Sequence, residues 1–434
     1  MSTVTIRGLR PGQDSPVNLE GTLRVPASKS HTIRALLIAA MADGPSRIRH
    51  PLQSADTLSC LDACRLLGAV IEEREDGWEV SRPVPRKPGL PPVRIDTGNS
   101  GTTLYLITAL AALLDRRVEF DGDEQIRRRS AANLLNALRD LGTEINSSEG
   151  GCAPYTVRGP LKGGNTSIEC PTSQYLSALL LAAPLIRSSE PTRIEVPLLM
   201  EKPYAEMTLR WMEEQNIRLE NREYREFLLP GNQHYRGFDK TIPSDFSSAT
   251  FFLCAAALSG SALTFQGLDM SDSQGDKAVI SMLETMGCRR EEKGNDLILR
   301  GGRLTGCTLD LNDTPDALPA LAVTACFAAG ETRIVNVPQA RMKETDRIAV
   351  MTAELRKMGA LVEELPDGMI IRPSRLKGAE VKGHGDHRVV MALSIAALGA
   401  EGETTIDTAE AVDITYPGFF AQLETLRTDR RIQS

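Results

Sequence analysis

The feature that most constrains this chain is a repeat. Six times a polar loop rich in Gly, Ser, Thr or Asp runs into an alanine-rich apolar segment: ASKSHTIRALLIAAMADG, GNSGTTLYLITALAAL, PTSQYLSALLLAAPL, SDFSSATFFLCAAALSG, TPDALPALAVTACFAAG and GDHRVVMALSIAALGA. Their starts lie roughly 70 residues apart, the mark of one structural unit copied along the chain. Each is followed by a small-residue turn and a strand (SRIRH, RRVEF, TRIEV, ALTFQ, TRIVNV, ETTID), a polar stretch, and then a second amphipathic helix such as TLSCLDACRLLGA or KAVISMLETMG. Helix and strand alternate, so the class is α/β. Six units over 434 residues divide as three and three, which suits two domains of roughly 200 residues each.

The loops that open the apolar helices carry N-cap residues, whose oxygens satisfy backbone N–H groups the helix leaves free. Capping alone accounts for most of them. The same free N–H groups and the positive end of the helix dipole also attract anions, and Lys29, Arg34, Arg129, Arg347 and Arg388 stand near these helix mouths. The densest case packs Arg341, Lys343, Glu344, Asp346 and Arg347 into seven residues before an apolar pattern of helical period (Ile348, Ala349, Met351, Leu355, Met358). Read alone, that run is a solvated first turn. Among six similar mouths it becomes part of an anion site.

Partner classes are narrowed by composition. Aromatic residues make up 4% of the chain and the formal net charge is −7, which argues against base stacking and a nucleic-acid partner. The eight cysteines are scattered, with no C-x-x-C pair and no histidine at zinc spacing, and read as reduced, mostly buried thiols. The N-terminal stretch has no apolar signal region and no run approaches the ~18 residues of a membrane span. The expectation is a cytoplasmic protein with neither nucleic acid nor membrane as partner.

The motifs VPASKSHTIRALLIAAMADG (25–44), GNSGT (98–102), PTSQYLSALL (171–180), DFSSA (245–249), TPDA (314–317), MKETDR (342–347) and GDHR (385–388) resemble, in order, those of the 5-enolpyruvylshikimate-3-phosphate synthase family. The resemblance spans nearly the whole chain. It implies two similar domains, each of three βαβ-type repeats in an inside-out α/β barrel, with an interdomain active-site cleft; the first domain runs over 24–241 and the second takes 1–23 and 242–434. It implies transfer of the enolpyruvyl group of phosphoenolpyruvate to the 5-hydroxyl of shikimate-3-phosphate, with release of phosphate, by a monomer using no metal or organic cofactor. Sensitivity to glyphosate is implied too. Two polyanionic substrates in one cleft demand several cations and preorganised donors.

Carried over by position, Lys29, Gly101, Arg129, Gln174, Arg347 and Arg388 fall where the family holds phosphoenolpyruvate. Lys29, Ser30, Arg34, Thr172, Ser173, Gln174, Tyr204, Asp316, Gln339 and Lys343 fall where it holds shikimate-3-phosphate. Asp316 resembles the group that takes the proton of the attacking hydroxyl, Glu344 the acid that protonates the methylene carbon, and Lys29 shares the proton traffic. A bland reading stands beside each: Asp316 as a helix cap, Glu344 as first-turn dipole chemistry, two of Arg127, Arg128 and Arg129 as surface charges, and His384 and His387 as structural hydrogen-bonders.

Four positions depart from the family's commonest pattern. Tyr105 stands for an arginine, Glu201 for a hydroxyl of the phosphate cradle, Gln339 for an asparagine, and Ile414 for a lysine of some subgroups. The changes gather on the acceptor side, so the alternatives are an enolpyruvyl transferase with another hydroxylated acceptor or a non-catalytic anion-binding relative. The related UDP-N-acetylglucosamine enolpyruvyl transferase usually carries a mobile-loop cysteine that 121–130 lacks. RNA-terminus processing is disfavoured by the scarcity of aromatics and the acidic charge.

Overall fold

Apolar residues all round the six alanine-rich segments leave them no solvent face, so they must lie inside. A computed structural model describes residues 2–10, 17–82, 91–294 and 296–428. The chain divides into two compact units, Met1–Pro26 with Pro243–Ser434, and Ala27–Ile242. In the first, helices Phe246–Ser259, Leu318–Cys326 and His387–Leu398 pack on one another, and every residue of the last is buried. In the second, Gly101–Ala111 packs against Lys29–Met41 and Ser173–Ala182. Alanine allows this close approach, because it fills little space between helix backbones.

Sheets surround these helices, which is the inside-out α/β arrangement. Among the described residues five of six sheets share one order. Asn165–Cys170 runs parallel to Thr192–Leu199, which pairs antiparallel with Glu226–Leu229, itself antiparallel to Glu220–Arg222. The closing hairpin is absent from the sequence reading, which ends each unit on a second helix. Its outer strands lack an alternating apolar signal: Arg289–Lys293 is exposed along its whole length. The sixth repeat differs, for Glu403–Asp407 pairs with Glu380–Val381 and with the N-terminal strand Thr3–Arg7.

The second helices bury one side only, as Lys202–Glu214 does through Ala205, Met207, Thr208, Trp211 and Met212. Caps stand where the loops place them: Ser28, Ser100, Thr172, Asp245 and Asp386 each accept a backbone N–H of the helix they open. Among the described residues no helix is long and apolar enough to cross a membrane. All eight cysteines are free, six of them buried.

Candidate active site

In the unit that contains both termini, the charged run Arg341–Arg347 is not a solvated turn. Arg347 opens the helix Arg347–Lys357 with its side chain wholly buried. Its guanidinium meets three carboxylates. Nη1 donates to Asp316 Oδ1 at 2.7 Å and Nη2 to Glu344 Oε2 at 2.5 Å, while Nε and Nη2 reach the two oxygens of Asp386 at 2.9 and 3.1 Å. Arg388 Nη2 lies 3.0 Å from Asp316 Oδ2 and Lys343 Nζ 3.9 Å from Oδ1. Three cations thus interleave with three carboxylates at the mouths of three helices, and pairing is what lets such charges be buried.

The pairing sets the ionisation of the group. Burial works against the Asp316 carboxylate, but Arg388, Lys343 and Arg347 outweigh it and hold the carboxyl well below its ordinary range. Burial likewise opposes the charge on Arg347, yet Asp386, Glu344 and Asp316 push its pKa up. Asp316 lies in the turn Pro315–Ala317 and its side chain caps no helix. Gln339 is buried, giving its Nε2 to Asn312 O at 2.8 Å and leaving Oε1 without a hydrogen-bond partner. Arg341 bonds Asp346 at 2.7 Å, and Asp346 caps the helix that follows, so both are structural. His384 bonds Glu354 at 2.9 Å.

The other unit gathers a second group. Lys29, the first residue of its helix, donates to Asp56 Oδ2 at 3.0 Å, and both side chains are largely buried. The carbonyl of Asp56 accepts from Thr103 Oγ1 at 3.2 Å, tying in the helix that Gly101 opens. Arg129 packs over that glycine: a Cβ on Gly101 would lie 2.6 Å from Arg129 Nη1. Arg127 turns instead to Asp121 and Arg128 to Glu124. At the mouth of Ser173–Ala182, Ser173 Oγ and Gln174 Oε1 are buried without a protein partner. Buried polar atoms require one, and a ligand would supply it.

Arg34, which the resemblance places among the acceptor's ligands, lies within a net of protein acceptors. It is fully buried, and its donors reach Thr208 Oγ1 at 2.8 Å, Ser30 O at 3.1 Å and Tyr204 O at 3.0 Å. Burial pulls its pKa down to about 10. These bonds tie it to the backbone of Ser30 and Tyr204.

The departures also find their places. Glu201 sits in left-handed backbone at φ 56° before its helix, buried, with Oε2 accepting from Thr172 Oγ1 at 3.0 Å. Lys202 faces Glu206 and the Tyr224 ring. Ile414 packs against the core of its unit. Two carboxylates central to these groups escaped the sequence reading. Asp386, inside GDHR, carried a signal in its place directly before the helix that carries Arg388; Asp56 in SADT reads only as a helix start.

The family model described as EPSP synthase (3-phosphoshikimate 1-carboxyvinyltransferase) matches residues 13–423. A 3-phosphoshikimate 1-carboxyvinyltransferase of Acetivibrio thermocellus is 52% identical over 400 residues, covering 92% of this chain and 94% of that protein. One of Methanocella arvoryzae is 44% identical over 410 residues, covering 94% and 96%. The solved EPSP synthase of Acinetobacter baumannii superposes with a TM-score of 0.78 at 25% identity over the whole of both chains. An enolpyruvyl transferase of Streptomyces tendae, at 17% identity and TM-score 0.77 over 97% of this chain and 96% of its own, shares the fold.

Proposed function

Because the chain belongs to the EPSP synthase family, we propose that it transfers the enolpyruvyl group of phosphoenolpyruvate to the 5-hydroxyl of shikimate-3-phosphate, releasing phosphate, in the shikimate pathway to chorismate and the aromatic amino acids. The observation that carries the reading is the interleaving of Lys343, Arg347 and Arg388 with Asp316 and Glu344, cations for polyanions beside carboxylates for protons. Lys29, Gly101, Arg129, Gln174, Arg347 and Arg388 hold phosphoenolpyruvate; Lys29, Ser30, Arg34, Thr172, Ser173, Gln174, Tyr204, Asp316, Gln339 and Lys343 hold the acceptor. The reading carries with it a cytoplasmic monomer without metal or organic cofactor.

The chemistry is an addition followed by an elimination. The acceptor oxygen bonds to C2 of phosphoenolpyruvate as its proton passes to Asp316, and the methylene carbon takes a proton from Glu344. Phosphate then leaves as that carbon returns a proton, restoring the double bond. In the free protein three cations keep Asp316 a weak base. An arriving anion draws Arg388, Lys343 and Arg347 toward itself, and the carboxylate becomes basic enough to accept a proton. Phosphate release from phosphoenolpyruvate with shikimate-3-phosphate as acceptor tests the reading. Calorimetry showing no binding of shikimate-3-phosphate in the presence of phosphoenolpyruvate would sink it.

Two smaller effects follow. With the acceptor phosphate at Thr172 and Ser173, the Glu201 carboxylate presents a like charge. Glu201→Gln keeps the shape and removes the charge, and it is expected to tighten shikimate-3-phosphate about tenfold by calorimetry, roughly 1.4 kcal/mol; unchanged affinity would mean the carboxylate does not meet the phosphate. Gly101→Ala puts a methyl group 2.6 Å from Arg129 Nη1 and must displace it. The KM for phosphoenolpyruvate should rise by roughly a factor of ten to a hundred with the acceptor KM little changed.

A further inference from the structure

Tyr105 and Tyr175 stand on neighbouring helices with ring centroids 5.0 Å apart, edge to face at 88°. Both hydroxyls donate to one atom, the carbonyl oxygen of Ser130, Tyr175 at 2.5 Å and Tyr105 at 3.3 Å. Two lone pairs allow a carbonyl to accept both. The Ser130 hydroxyl donates to Gly150 O at 2.6 Å and accepts from Ala132 N at 3.1 Å. On the other side, Arg129 N donates to Ile126 O at 3.0 Å. The backbone is therefore held on both sides of Arg129.

The Arg129 guanidinium lies against the first residue of the helix Gly101–Ala111, at the end where the helix dipole is positive. Its neighbours Arg127 and Arg128 turn to Asp121 and Glu124. The course of the backbone through 128–130 therefore bears on which of the three guanidinium groups faces Gly101.

We infer that Tyr105 and Tyr175 are positioning residues: their paired hydroxyls clamp the Ser130 carbonyl and so hold Arg129 over Gly101 for the anionic substrate. The inference rests on the reading of Arg129 as a phosphoenolpyruvate ligand. Position 105, where the resemblance expects an arginine, then bears on an anion through the placement of another cation.

The test uses Tyr105→Phe, Tyr175→Phe and the double variant, which keep both rings. With two hydrogen bonds lost, the double variant should raise the KM for phosphoenolpyruvate about tenfold, with kcat and the KM for shikimate-3-phosphate within about twofold. Each single variant should give about a threefold rise. In an Arg129→Ala background the tyrosine substitutions should add nothing further, because they act through that side chain. Hydrogen exchange across 126–132 should speed up in the unliganded double variant. An unchanged KM, an equal rise for both substrates, or full additivity with Arg129→Ala overturns the clamp. If the unsubstituted protein releases no phosphate, the functional reading fails while the exchange measurement still decides the clamp: unchanged exchange overturns it. Should the double variant not fold, the single variants decide by the same criteria.

Discussion

Glu344→Gln is expected to lower kcat by about a hundred- to ten-thousandfold, the usual range for removing a positioned proton-transfer group, with both KM values within a few-fold. The substitution nearly preserves shape. An amide oxygen can still accept from Arg347 Nη2, which now meets Glu344 at 2.5 Å, and Arg347 keeps Asp316 and Asp386. What the amide cannot do is give a proton to carbon and take one back. Steady-state phosphate release measures the rate. Proton exchange into the methylene group in heavy water separates the step, since it should fall in parallel. A variant with kcat within tenfold of the parent would remove Glu344 from the proton path.

Asp386→Ala should destabilise the unit that contains both termini by about 3–5 kcal/mol, read by urea unfolding at pH 7. Removing one partner of a buried pair leaves the other charge uncompensated, which typically costs this much. Arg347 is wholly buried, and Asp386 supplies two of its four hydrogen bonds while also capping the helix His387–Leu398. The acid response should follow the same group. Burial works against ionisation of Asp316 and Asp386, but neighbouring cations, chiefly Arg388 and Arg347 respectively, hold both carboxyls below the ordinary value of 3.8 in the folded protein. Their contribution to stability is fully present above that value and is lost as pH falls through the depressed native pKa values. Stability should therefore fall steeply below about pH 4. Asp386→Asn should be less stable at pH 7 and less sensitive to acid; an unchanged acid slope would count against this account.

The fold was legible because its signal repeats. Alanine-rich segments such as GDHRVVMALSIAALGA can be satisfied only by burial, and six of them at a regular spacing require a repeated α/β unit. The hairpin closing most repeats was not legible, because strands such as Arg289–Lys293 face solvent and carry charge at nearly every position. The fate of each site charge was partly legible. Arg347 and Arg388 stood out in short motifs, but nothing local marked Asp56 as the partner of Lys29 or placed Arg34 among protein acceptors, since those contacts join residues 27 to 174 positions apart.

The sequence by itself determined the α/β class, the sixfold repeat, the capped helix mouths and the cationic residue types near them, all of which depend on local pattern and burial. Only the tertiary structure decided what each charge does. It set Arg347 between Asp316, Glu344 and Asp386, turned Arg127 and Arg128 to other carboxylates, and brought Tyr105 and Tyr175 onto one carbonyl beside Arg129. The physical reason is that the interaction of a buried charge depends on distance and local dielectric, and both are set by which remote segments the core brings together.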